Sequence, residues 1–177
     1  MTPANYGMIT YTAIGGEPVR GFGHYGFSGT LPYPPSGAQY IAGDLVAVWL
    51  DYGYTKLDKS VKDFSHTNTT FTGVSETLYF GNVVKYLMQL DTISDVRGLG
   101  LTEEALAFDF LIEAGLKGQT LTWYPSWTGS GSDASFQCAL RKRHDPVRMG
   151  SDIHLWTYTI ELEVLPTMTI PTVPAFV

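Results

Sequence analysis

The sequence holds a single cysteine, Cys138, so no disulfide can form within the chain, and a cysteine-based zinc site lacks its ligands. Charge is scarce as well: only 16 % of the 177 residues are charged, against a usual quarter or so. The net charge of −6 argues against nucleic-acid binding by bulk electrostatics. No apolar run approaches the roughly 18 residues of a membrane span. The first dozen residues lack the basic start and apolar stretch of a signal peptide, so a cytoplasmic site of synthesis and assembly is expected. The Ala/Glu/Lys/Leu excess of a coiled coil or helical bundle is missing too.

What is abundant is aromatic and chain-bending material. The sequence carries 11 Tyr, 9 Phe and 4 Trp, and 19 Gly with 10 Pro. Apolar residues make up 44 %, enough for a core and against disorder. A β-rich domain with few surface charges is the expected product, and such a surface often covers itself with a partner.

Several segments read as strands. Residues 7–14 and 44–54 are apolar and β-branched or aromatic; residues 68–80 read as strand, turn near Gly73, strand; residues 83–90 open on two valines. Residues 119–125 form a strand expected to stop at Pro125, and 135–140 a strand around Cys138, which is read as a buried strand residue. In 153–165, Ile160, Leu162 and Val164 alternate with Glu161 and Glu163, so apolar and acidic residues take opposite faces. Residues 56–63 read as a polar connection, with a short strand edge near Val61 to Phe64.

One helix is expected, over 102–114. Thr102 suits the N-cap, Glu103 and Glu104 complement the helix dipole, and Gly115 suits the C-cap. Few polar residues lie on it, so it should be mostly covered. The expected fold is mainly β: an antiparallel β-sandwich or partly open barrel of seven to nine strands with this one packed helix. Residues 1–165 form the domain.

Two appendages stand out. Residues 15–43 are a long Gly/Pro-rich loop or arm with aromatic anchors Phe22, Tyr25, Phe27 and Tyr33. It docks on a neighbouring subunit or packs on its own domain. Residues 166–177 carry three prolines and no charge, and read as an extended tether.

Catalytic and metal-binding signals are weak. His24, His66, His144 and His154 form no close ligand pair, and no metal or cofactor is expected. No Gly-x-Ser-x-Gly elbow is present. Gly21-Phe-Gly-His-Tyr-Gly matches a dinucleotide fingerprint only in letters, since prolines rather than a helix follow it. The most distinctive charge feature is 141–148, where Arg141, Lys142, Arg143 and Arg148 gather four of the 11 basic residues. This segment serves as a nucleic-acid contact, a contact to an acidic patch on another subunit, or a solvated hairpin loop.

From Leu101 onward the order of motifs resembles tail structural proteins of long-tailed bacteriophages, of the distal-tail or minor-tail type. The residues that carry it are Glu104-Ala-Leu-Ala-Phe-Asp-Phe-Leu, then Gly118-Gln-Thr-Leu-Thr-Trp-Tyr-Pro, then Phe136-Gln-Cys-Ala-Leu, then Tyr158-Thr-Ile-Glu-Leu-Glu-Val-Leu. Phe71-Thr-Gly-Val-Ser-Glu-Thr-Leu-Tyr-Phe resembles an earlier strand pair of the same proteins. The resemblance spans roughly 60–165. It implies a non-enzymatic virion protein, assembled in the host cytoplasm as a homo-oligomeric ring, usually a hexamer, that joins the tail tube to the tip or baseplate. Its partners would be tube, hub and tip proteins. Two alternatives stand beside it: a tail-tube subunit, and a carbohydrate-binding adhesin module stacking sugars on Trp123, Tyr124 or Trp127.

Overall fold

The computed structural model describes residues 6–17, 40–50, 55–94, 104–127, 133–151 and 154–166. These build eight strands and one helix: β1 (Tyr6–Thr12), β2 (Leu45–Leu50), β3 (Lys56–Thr69), β4 (Ser75–Ser94), α1 (Glu104–Leu116), β5 (Leu121–Trp127), β6 (Phe136–Leu140), β7 (Val147–Arg148) and β8 (Leu155–Val164). The fold is mainly antiparallel β with one packed helix, as the alternation and the single helical stripe led one to expect.

All strands belong to one open sheet of order β2-β1-β5-β6-β8-β4-β3, with β7 joined to β8. Every pairing is antiparallel. Register sorts the side chains onto two faces. Val48, Ile9 and Trp123 lie opposite one another across β2, β1 and β5. Leu121 lies opposite Cys138, Leu140 opposite Leu162, and Ile160 opposite Met88, which carries the same face on to β4. All of these are buried. The other face carries Thr10, Thr122 and Gln137 at successive partner positions on β1, β5 and β6, and Ala139, Glu163 and Lys85 on β6, β8 and β4.

The sheet curls. Tyr86 of β4 and Trp123 of β5 stand three strands apart in the order, roughly 14 Å in a flat sheet. Their ring centres are nevertheless 4.8 Å apart, and both rings meet Phe136 of β6, at 6.1 and 5.6 Å. Of the two expected arrangements, this is the partly open barrel.

α1 fills the concave side, touching β1, β2, β4 and β6. Phe108, Leu111, Ile112 and Ala114 are its fully covered residues. Phe108 packs on Tyr158 at 5.3 Å between ring centres, and the Tyr158 hydroxyl donates to Ala105 O and to Asp109 Oδ1.

Three local expectations are corrected. The helix runs on to Leu116, so Gly115 lies inside it and is not its cap. Gly118, with φ +90°, closes the helix: its N–H donates to Gly115 O while Gln119 N–H reaches Ala114 O, a Schellman arrangement. Gly115 is there because a Cβ would sit 2.8 Å from the Leu140 Cβ. Second, β5 does not stop at Pro125 but continues to Trp127. Its pairing with β6 ends at Trp123, and the β1 register shifts between Tyr6 and Met8, so the proline meets no ladder it would break. Third, residues 56–63 are no connection: they belong to a 14-residue strand. Thr102 and the other residues before Glu104 lie outside the described residues, as do 167–177 of the tether.

Candidate interaction surface

β3 has no buried residue along its 14 positions. It pairs with β4 from Lys56–Gln89 out to Thr69–Ser75, but β8 supports β4 only from Lys85 to Ser94. Beyond Lys85 the hairpin is a two-stranded ribbon, which projects about 30 Å at 3.4 Å per residue. A lone two-stranded hairpin is marginal in water. This one is held by side chains at its far end. Thr67 and Thr77 hydroxyls meet at 2.9 Å, and Thr69 and Ser75 hydroxyls at 3.1 Å. At the turn, Thr70 N donates to Val74 O, Gly73 N donates to Thr70 O, and Val74 N donates to the Thr70 hydroxyl. Gly73 supplies the positive φ of +81°.

The ribbon carries the exposed apolar side chains Val61, Phe64, Phe71, Val74, Leu78 and Tyr79, and Leu57 is exposed nearer the body. Phe71 at the tip is wholly in solvent. A register shift between Phe64 and Ser65, beside Gly81 at φ +117°, marks the bulge that separates root from distal half. At the root, Phe64, Gly81, Asn82, Val83 and Pro166 line an open, largely apolar groove of about 620 Å³. Lys62 Nζ stands 5.4 Å from the centre of the Phe64 ring on the same ribbon face.

The basic segment leads from β6 into β7. Arg141, Lys142, Arg143 and Arg148 are exposed. Arg141 Nε bonds Glu163 at 3.3 Å, Arg143 reaches Asp145 at 4.0 Å, and Arg148 stacks over Trp156 at 5.3 Å. Glu163 and Glu161 also receive Lys85, and His144 Nε2 lies 3.5 Å from Glu161. The Lys85 ammonium, first by its hydrogen bond, holds the Glu161 carboxyl below the usual glutamate range, and Glu161 in turn raises Lys85. Of the four cations of the segment, Arg141 alone is shown paired with the acidic stripe of β8, which the clean alternation of 160–164 had placed outward.

The 15–43 arm is described at its two ends. Gly16 N donates to Tyr40 O and Tyr40 N donates to Glu17 O, so the segment leaves and returns through a paired neck. The Glu17 carboxylate, 1 % exposed, accepts the Ile14 and Gly15 N–H groups. The anchors Phe22, Tyr25, Phe27 and Tyr33, and His24 and the Gly21–Gly26 stretch, lie outside the described residues.

Among the described residues no group of three His, Cys, Asp or Glu is placed to hold a metal. Cys138 is fully buried, and burial pushes its thiol up to about 12, far from a reactive thiolate. His66 bonds the Asn68 side chain at 2.7 Å on the exposed ribbon. Trp123 is 1 % exposed and cannot stack on a sugar, and Tyr124 is half-buried; the Trp127 side chain lies outside the described residues. No described helix is long and apolar enough to cross a membrane.

Sequence reasoning missed Phe64, Phe71, Val74, Leu78 and Tyr79 as surface residues. Their alternation with threonine marks strands but is silent on whether a third strand covers them.

No protein-family model matches the chain, and no curated protein is significantly similar to it.

Proposed function

We propose that the chain is a structural subunit of a bacteriophage tail, of the distal-tail kind, that forms a homo-oligomeric ring between tail tube and tip or baseplate. The observation that carries this reading is the long hairpin that no third strand joins among the described residues, with exposed apolar side chains set at intervals along it. A surface of this kind is completed by neighbours. The order of the helix, the Trp-Tyr-Pro strand and the closing strand agrees with the resemblance in sequence. Tube, hub and tip proteins are the proposed partners, and the exposed cations Arg141, Lys142, Arg143 and Arg148 are proposed contacts, together with the aromatic arm. The role is architectural, without catalysis.

Native mass spectrometry and negative-stain microscopy of the purified chain test this. A closed ring of identical subunits, a hexamer on the present reading, is the expected result. A chain that stays monomeric at several hundred micromolar, and is missing from purified virions, overturns it. Long hollow cylinders in place of single rings would favour the tail-tube subunit, whose exposed ribbon is equally consistent.

A further inference from the structure

We infer that the tip of the β3–β4 hairpin, with Phe71 as its anchor, seats in the groove at the root of the same hairpin on the next copy of this chain. The inference rests on the ring reading above and names the contact that closes it.

Three observations point to this occupant. First, Phe71 is wholly exposed on a turn fixed by five hydrogen bonds at Thr70, four with the backbone of Gly73 and Val74 and one with the Thr72 hydroxyl. An aromatic side chain held out on a rigid turn loses little entropy on docking, the usual property of an interface anchor. Second, the same chain offers a mate: the apolar groove of about 620 Å³ lined by Phe64, Gly81, Asn82, Val83 and Pro166. Gly81, at φ +117° with no described atom within 4 Å of its missing Cβ, keeps the groove floor open among the described residues. Third, charge fits tip to root. Between residues 65 and 80 the sole charged residue is Glu76. At the root, Lys62 lies on the groove face over Phe64, and Asp63 faces the other side, bonded by the Tyr79 hydroxyl. Tip against tip would set Glu76 against Glu76; tip against root sets Glu76 toward Lys62. Tip and root are different patches, so the contact is heterologous and propagates from copy to copy until it closes.

The test uses two full-length variants, each lacking one half of the contact. Phe71→Asp keeps the groove; Val83→Asp keeps the tip. Phe71 is fully exposed and touches nothing among the described residues, so its variant keeps the wild-type circular dichroism and melting temperature. Native mass spectrometry should show wild-type rings and a contact weakened about thirtyfold or more in Phe71→Asp. Mixed one to one, the two variants should form a dimer and stop there, since one intact tip meets one intact groove. Phe64→Asp serves as the second groove variant if Val83→Asp fails to fold. Phe71→Asp rings as abundant as wild type overturn the inference and leave the ring reading standing, as when residues 167–177 of the same chain fill the groove. A mixture that stays monomeric overturns it as well. A monomeric wild type sinks the ring reading itself.

Discussion

Gly115 and Asp109 show how single residues on α1 are set by the sheet beneath. In an isolated helix Gly→Ala gains close to 1 kcal/mol from propensity. Here the new methyl would meet Leu140 Cβ at 2.8 Å and Leu121 Cδ1 at 3.3 Å. The Leu140 Cβ is fixed to β6 and cannot swing away, so overpacking at about 1–3 kcal/mol wins. Gly115→Ala is therefore expected to destabilise, and a higher urea midpoint for the variant would contradict the close approach. Asp109 differs in kind. Burial raises its carboxyl above the usual aspartate value, while the Tyr158 hydroxyl and Arg143 pull it partly back. A carboxyl whose folded pKa is raised costs folding energy once ionised, above that pKa, and costs nothing below the unfolded value of 3.8. Asp109→Asn, which keeps an acceptor for Tyr158, should raise the melting temperature at pH 7 and lose that gain below about pH 3.8. A variant equally changed at both pH values would show that charge is not the cause.

At the scale of elements the sheet divides into a curled body and a ribbon. The cross-strand charges lie at the join: Lys85 on β4 against Glu161 and Glu163 on β8. Glu161 is held below its usual 4.5, so its share of stability is full above 4.5 and fades as pH falls through the lower folded value. Lys85 is raised above 10.5, so its share is full below 10.5 and fades as pH climbs past the raised value. Lys85→Met should flatten both flanks of the stability–pH curve while changing mid-range stability by no more than about 1 kcal/mol, since the pair is partly exposed. Unchanged flanks would remove the pair from the account. The ribbon should be dispensable to the body. Phe64 pairs with Gly81, so replacing residues 65–80 by Asn-Gly leaves a legal two-residue hairpin. Its melting temperature should stay within about 4 °C of wild type. A collapse of the body would mean that the ribbon packs on it.

For the whole molecule, what the sequence made legible follows burial. β8 could be read outright, because Ile160 and Leu162 are buried in the core while Glu161 and Glu163 lie partly exposed on the other face, and that contrast is written every second residue. The helix was legible from its covered stripe, but not its end, because Gly115 carries a packing role that looks like a cap in one dimension. β3 was legible only in pieces, near Val61 to Phe64 and from Asn68: it has no buried face to show a sustained alternation, and its pairing with β4 is what joins 56–69 into one strand. The same blindness hid the interaction surface, since Phe71 and Leu78 look like core residues until the pairing shows no third described strand beside them. This contrast has a measurable form. β8 is bonded on both edges, by β4 on one side and by β6 then β7 on the other. Among the described residues, 65–80 find strand partners on one edge only, and every β3 residue is exposed. Opening the ribbon exposes almost nothing new, whereas opening β8 takes the core with it. In hydrogen exchange at monomeric dilution, amides of 65–80 should exchange on the order of a thousandfold faster than those of 155–164. At concentrations where rings form, the ribbon should become protected and β8 should not change. Ribbon amides already as slow as β8 in the monomer would mean that this segment is stabilised within its own chain, and would leave it no need of a neighbour.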